Sequence, residues 1–372
     1  MKTIRRLIYR EVSVAVAFVL LAFLALFSFF DLVDELPALG RPSVIDPTLS
    51  YEFQHALLYV LLGMPNRIYE ILPIAALIGT IWVLARLAQG SEYTILRTSG
   101  LGPWRALRTL LGLGAIFSVL TFVVGDYVAP LAERSAQMHK ARFDGHLSLG
   151  QTGAWLKDRQ TYSQFSVNVG SLSGRGELGG VRIFEFDNRG FLVSIVQAQS
   201  GQIEADAYWT LHQVQRREFD TAGQAAQRIS HSTAASARWP SGLSLEMVSA
   251  ALLRADRMQT TDLFSYIRHL QANNQASQRY EIEFWRKVFY PLSCLVMVML
   301  ALPFAYLHFR SGHITAYVFG GVMIGISFFL LNNVFGYIGN LNQWRPWLAA
   351  ASPGLIYSLV SLGAFGWLVF RR

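Results

Sequence analysis

Strongly polar side chains are scarce inside the long apolar stretches of this chain. Those that occur are the first candidates for chemistry: Glu70, Asp126 and the pair Asn332-Asn333. A polar group in a hydrocarbon environment is costly, so one that is kept there marks a pathway or a pairing. Glu70 follows Arg67 by three residues, one helical turn, where the two can pair. Asp126 falls near the end of an apolar run, at interfacial depth. Asn332-Asn333 would either line a cavity or make hydrogen bonds between helices. A proton- or ion-driven transporter normally needs more buried acids than these.

Hydrolytic and nucleotide chemistry has no footing. There is no G-x-x-x-x-G-K-[ST] to cradle phosphates, no H-E-x-x-H and no G-x-S-x-G. "GSLSG" at Gly170–Gly174 has leucine where a nucleophile would stand and reads as a turn. His139, His146, His212 and His231 show no ligand spacing and read as scattered surface histidines. The single cysteine, Cys294, lies in an apolar run and reads as a small packing residue. It leaves no intramolecular disulfide and no Cys-rich metal site. No catalytic residue, metal or cofactor is expected.

One polar stretch stands between two apolar runs: "QGSEYTILRTSGLGPWRALR", Gln89 to Arg108. Ser91 is a good N-cap and Gly100 a natural helix stop. Glu92 near the start and Arg97 near the end suit the helix dipole. Tyr93, Ile95 and Leu96 can form an apolar face with charges beside it. Such a helix either docks into a groove on a separate ATPase or merely anchors its loop at the membrane surface. Both readings stand on pattern alone.

The elements that position these groups are legible from composition and run length. The chain has 372 residues, 52% hydrophobic and 15% charged, with a net charge of +8. Soluble domains usually carry about 25% charge. The composition is that of a membrane protein, in which basic residues set orientation and meet headgroups rather than nucleic acid. Six spans are expected: Glu11 to Leu32, Leu57 to Leu87, Trp104 to Val128, Trp285 to Leu307, Ile314 to Ile338 and Trp347 to Phe370. The first is too long for a signal peptide and is followed by "DLVDELP", not a cleavage site. Pro65 and Pro73 should kink the second or split off a short helix. Between spans 3 and 4 the texture changes. "AWLKDRQTYSQFSVNVG", "VRIFEFDNRGFLVSIVQAQSG" and "AYWTLHQVQRREFD" read as strands, the middle pair joined at Asn188-Arg189-Gly190. They suggest an antiparallel sandwich or jelly roll. "TTDLFSYIRHLQANN" reads as a helix capped by Thr260 or Thr261.

The expected fold is therefore α-helical and membrane-spanning, with an all-β domain inserted between spans 3 and 4. Residues 1–128 carry spans 1–3 and the short helix near 89–100. Residues 129–278 carry the β domain and a connecting helix, and 279–372 carry spans 4–6. Lys2, Arg5, Arg6, Arg10, Arg86, Arg97, Arg105, Arg108, Arg310, Arg371 and Arg372 lie at one set of ends. Asp31, Asp34, Glu35, Asp46 and Glu52 face Arg41 in the first opposite loop. The positive-inside rule then puts both termini in the cytoplasm and the β domain outside. Arg286 and Lys287 run against the bias, but they follow a long domain, where the rule is weak.

The chain resembles the LptF/LptG permeases of lipopolysaccharide export along nearly its whole length, with a closer likeness to the LptG branch. The resemblance rests on "ILPIAALIGTIWVLARLAQGSEYTILRTSG", "DYVAPLAERSA", "GAWLKD", "ELGGVRIFEF" and "PLSCLVMVMLALPF". It implies six transmembrane helices and a periplasmic β-jellyroll in a bacterial inner-membrane protein. The implied partners are the paralogous permease LptF, two copies of the ATPase LptB, and LptC, which engages by its helix beside span 1 and by its jellyroll. The implied substrate is lipopolysaccharide. Drawing several acyl chains from a bilayer costs tens of kcal/mol, at roughly 0.8 kcal/mol per CH₂. A closed cavity between two permeases would offset that cost.

By the same resemblance, Ser91, Glu92, Tyr93, Leu96 and Arg97 form the ATPase-coupling helix, with Glu92 at the family's acidic position. Lys140 matches a basic position after span 3, flanked by Arg134 and Arg142, and Lys287 matches a lysine before span 4. These four, with Arg41 and Arg67, are the expected contacts to the lipid's phosphates. Phe23, Phe27, Phe30, Asn332 and Phe335 are expected to line the cavity. The chain departs from the family pattern at Asp31, where a lysine is common, and at Pro37 and Ala38, so the span 1 contact would move to Arg41. Asn332 stands where relatives carry Asp. The competing classes are an ion-driven lipid transporter without an ATPase and a non-transporting membrane scaffold.

Overall fold

The computed structural model describes residues 2–43, 50–90, 92–98, 100, 102–144, 154–159, 163–172, 177–187, 189–204, 208–220, 228–243, 247–248, 255–306 and 314–370. Among these, six helical stretches are long and apolar enough to cross a bilayer: Thr3–Ala38, Phe53–Gln89, Pro103–Lys140, Gln278–Tyr306, Thr315–Leu341 and Pro346–Trp367. A helix satisfies its own backbone groups, which is what hydrocarbon demands.

Helix α1 (Lys2–Glu35) and α2 (Phe53–Gln89) have 34 and 37 residues, well beyond the roughly 20 that a bilayer needs. Of the two outcomes expected at the prolines of α2, a kink or a split-off short helix, the split does not occur. Pro65 and Pro73 both lie inside one continuous helix. Each removes a single N–H, a loss that a long, otherwise regular helix can absorb when its neighbours pack against it. The short helix α3 (Glu92–Thr98) follows, then α4 (Pro103–Val123).

The helix of span 3 continues past Val128. A π-turn at Val124–Val128 leads into α5 (Ala129–Asp144). Span 4 begins earlier than expected and is not one helix. It runs as α7 (Gln278–Phe289), a 3₁₀ turn at Tyr290–Leu292 that contains Pro291, α8 (Ser293–Leu300) and a second 3₁₀ turn at Leu302–Tyr306. Helices α9 (Ile314–Leu341) and α10 (Pro346–Phe370) complete the set, with α6 (Thr260–Ala272) just before α7.

Six strands form one antiparallel sheet in sequential order: β1 (Ala154–Arg159), β2 (Gln164–Leu172), β3 (Glu177–Phe186), β4 (Leu192–Glu204), β5 (Tyr208–Asp220) and β6 (Arg228–Pro240). The β3–β4 turn contains Arg189 and Gly190, as expected. There Asp187 accepts the backbone N–H groups of Arg189 and Phe191 at 2.8 Å each. Strand β6 was not legible in sequence, because "RISHSTAASARWP" has neither alternation nor bulk.

The ladder skips one row on every strand from β2 to β6. Partners jump from Val169↔Val181 to Ser171↔Gly179, from Ala198↔Val214 to Ser200↔His212, and from Val214↔Ala234 to His212↔Ser236. The skipped row is Gly170, Gly180, Gln199, Gln213 and Ala235, and two of its members have positive φ: Gly180 at 62° and Gln213 at 52°. Val169, Val181 and Val214 are buried on one side of the row, and Leu172, Leu178 and Leu211 on the other. Alternating strand residues face opposite ways, so the covered face changes side at this seam.

The chain forms two compact units. One comprises Met1–Asp34, Val60–Ala132 and Gln278–Arg372; the other comprises Glu35–Tyr59 and Glu133–Ser277. The first has an apolar core that includes Val12, Leu72, Leu77, Leu84, Leu110, Leu113, Met297 and Val298. Cys294 is fully buried in it, with Sγ 3.2 Å from the Thr121 hydroxyl, as a packing residue should be.

Candidate functional site

Helix α3 is a short, open element of the membrane unit. Glu92, Ile95 and Thr98 are exposed, with Ile95 at 63%. Glu92 and Ile95 are three residues apart and so share a face. Leu96 turns the other way and packs against the membrane core, which fixes the helix to its own bundle. Gly100 ends the segment at φ 100°, the left-handed stop expected of it, and its carbonyl accepts from Arg105 Nη1 at 3.0 Å. Ser91 and the side chains of Tyr93 and Arg97 lie outside the described residues.

At the Asp31 end of the same unit, Arg67 is held on both sides. Its Nε donates to Asp31 Oδ2 at 3.1 Å and its Nη2 to Asp31 Oδ1 at 2.6 Å, a bidentate fork. Nη1 reaches Glu70 at 3.5 Å, so the expected pairing with Glu70 is present but is the longer one. The guanidinium also lies 5.5 Å from the centre of the Phe27 ring. Asp31 is thus the principal partner of Arg67. Phe27 stacks with Phe23 at 6.4 Å and both pack on the core, whereas Phe30 is 53% exposed. Phe335 meets Trp344 edge-on at 6.2 Å. Asn332 is buried, and its neighbour Asn333 accepts from Arg286 Nη2 at 3.0 Å, a contact between helices. Glu283 holds Arg286 Nη1 at 2.7 Å. Lys287 is buried, with Nζ 3.3 Å from the Gly125 carbonyl in the π-turn.

The second unit holds the other candidate cations, and Lys140 and Arg134 are paired there. Lys140 Nζ donates to Glu35 Oε1 at 2.5 Å and lies 4.6 Å from the Tyr59 ring centre. Glu35 is buried, and Tyr51 donates its hydroxyl to the other carboxylate oxygen at 3.3 Å. Arg134 pairs with Asp262, and Arg257 with buried Glu133. Burial works against the Arg257 charge, yet Glu133, Asp256 and Tyr59 together outweigh it and hold the guanidinium pKa above its usual value. Arg41 is exposed and its backbone closes a turn with Tyr51. The side chain of Arg142 lies outside the described residues, as does His146.

His139 is not a surface histidine. It is half-buried, tilted against the His55 ring at 5.2 Å and edge-on to Phe143 at 5.7 Å. His212 and His231 are exposed, as expected. Among the described residues no group of three His, Cys, Asp or Glu is placed to hold a metal.

Sequence reasoning missed Glu35 and the role of Asp31. Their spacing carried a signal: "DLVDE" places Asp31 and Glu35 four residues apart on one helix face. It also missed α5, which carries Glu133, Arg134 and Lys140.

The sequence model of the family described as "Lipopolysaccharide export system permease LptF/LptG" matches residues 6–369. The chain belongs to that family. The permease is 28% identical over 370 residues to the "Lipopolysaccharide export system permease protein LptG" of Escherichia coli (strain K12), covering 99% of this chain and 98% of that protein. It is 26% identical over 373 residues to the protein of the same name from Haemophilus influenzae, covering 100% and 99%. The match runs through both membrane halves and the sheet between them.

Proposed function

We propose that this permease is the subunit of an ATP-driven exporter that takes lipopolysaccharide from the inner membrane and passes it toward a periplasmic β-jellyroll bridge. The family membership carries the transport reading. The exposed Glu92–Ile95 face of α3, on the loop between spans 2 and 3, supports its coupling to a separate ATPase. An open acid beside an open aliphatic residue is suited to a groove with a basic rim. The reading has α3 and both termini in the cytoplasm and the β domain in the periplasm, with LptF as the second permease, two copies of LptB below and LptC at span 1 and the jellyroll. Phe23, Phe27, Phe30, Asn332 and Phe335 belong to the cavity wall in this reading.

Lys140, Arg134, Arg142, Arg41 and Arg67 are the candidate phosphate contacts. Lys140, Arg134 and Arg67 already hold carboxylates, so a lipid phosphate would take their charge by exchange rather than fill an empty site. Neutralising the cations in the absence of lipid keeps charged groups compensated where they are partly desolvated.

A tagged pull-down from detergent-solubilised membranes, with mass spectrometry of proteins and lipids, tests this. Recovery of a second six-span permease, an ATPase and lipopolysaccharide is the expected result. Recovery of the chain alone, without ATPase or lipid, would refute it.

A further inference from the structure

The π-turn of span 3 and buried Lys287 explain each other. Within the turn, the Ala129 N–H donates to the Val124 carbonyl, five residues back. The next bond in that register would run from residue 130 to the Gly125 carbonyl. Residue 130 is proline and has no N–H to give. Lys287 Nζ, from the facing α7, donates to the Gly125 carbonyl at 3.3 Å. The lysine therefore supplies, from another helix, the hydrogen bond that the sequence of span 3 deletes.

The opposite side of the turn is equally constrained. A Cβ on residue 125 would run into the Tyr69 ring from α2, so only glycine admits that approach. Tyr69 in turn packs on Tyr290 at 4.9 Å, and the Tyr290 hydroxyl donates to the Glu70 carbonyl at 2.6 Å. Helix α2, the π-turn and span 4 thus meet around Gly125. A π-turn carries one residue more than an α-turn, so each later position on the helix is rotated by about 100° from where an unbroken helix would put it.

We infer that Lys287 is a positioning residue of the export cycle: it replaces the missing N–H of Pro130, holds the π-turn of span 3, and does not act by touching the lipid. The inference rests on the permease reading. It commits Lys287, which the family pattern would place among the phosphate contacts, to a backbone carbonyl instead.

The test is a suppression experiment in cells that depend on this chain for export, read as lipopolysaccharide reaching the outer membrane and as the amount of chain in the inner membrane. Lys287→Met keeps the stem and removes the donor, and is expected to lower export on the order of tenfold. Adding Pro130→Ala restores an N–H that can reach the Gly125 carbonyl, so the double variant should return to within about threefold of the parent chain. If Lys287→Met is instead lost from the membrane, recovery of its level by Pro130→Ala reads the same rescue. A double variant as defective as the single one would overturn the inference, because a lysine that binds phosphate cannot be replaced by a backbone N–H elsewhere. So would a Lys287→Met chain that exports normally. Failure of the parent chain itself to support export would instead strike at the permease reading.

Discussion

Helix α3 and the cationic clusters at residues 67 and 140 use charge in opposite ways. On α3, Glu92 stands exposed beside exposed Ile95. At the other two places the charge is already spent within the chain: Arg67 forks onto Asp31, and Lys140 sits on buried Glu35. An exposed acid suits a partner that binds and stays. A paired cation suits a ligand that must be taken up and released, because part of the attraction to each new anion is offset by breaking the old pair. In this account the coupling surface is built for affinity and the lipid-facing cations for exchange.

Reversing the charge on α3 tests the first half of that contrast, and the largest effect is expected there. Glu92→Lys should reduce co-purification of the ATPase on the order of a hundredfold while the chain stays in the membrane. Equal ATPase recovery from variant and parent would remove α3 from the coupling site. The second half is sharpened by Glu35→Gln. With Glu35 neutral, Lys140 keeps its charge without a competing carboxylate, and lipopolysaccharide retained per chain should rise roughly three- to tenfold. A fall in retained lipid would mean that Glu35 orders the site rather than competing for it. The smallest effect is expected from Arg67→Lys, which keeps the charge and loses the fork to Asp31. The pair is about one-third exposed on each side, and such pairs contribute about 1 kcal/mol or less. Export should change less than about threefold; a larger loss would mark Arg67 as a direct contact whose planar fork is needed.

The membrane spans were legible because run length alone defines them, and α3 because a cap, a stop and a dipole-matched acid lie within ten residues. What escaped was set by distance or by bland chemistry. The partner of Lys140 lies 105 residues away, and that of Arg67 lies 36 away on another helix. Helix α5 carries "APLAERSAQMHKARFD", too polar to read as part of a span, yet its ion pairs to Glu35, Asp262 and Arg257 hold it. Strand β6 is Ser, Ala and Thr for most of its length, and its pairing with β5 alone defines it. The π-turn was written in the five-residue step from Gly125 to Pro130. It becomes readable only once Lys287 is seen donating to the carbonyl that the proline leaves behind.

The most direct measurement is transfer of lipopolysaccharide out of proteoliposomes that contain this chain with its co-purified subunits, in the presence of a soluble acceptor. The account predicts transfer that requires ATP hydrolysis, is lost with Glu92→Lys, and is indifferent to a proton or sodium gradient. Transfer that follows the gradient without ATP would contradict it.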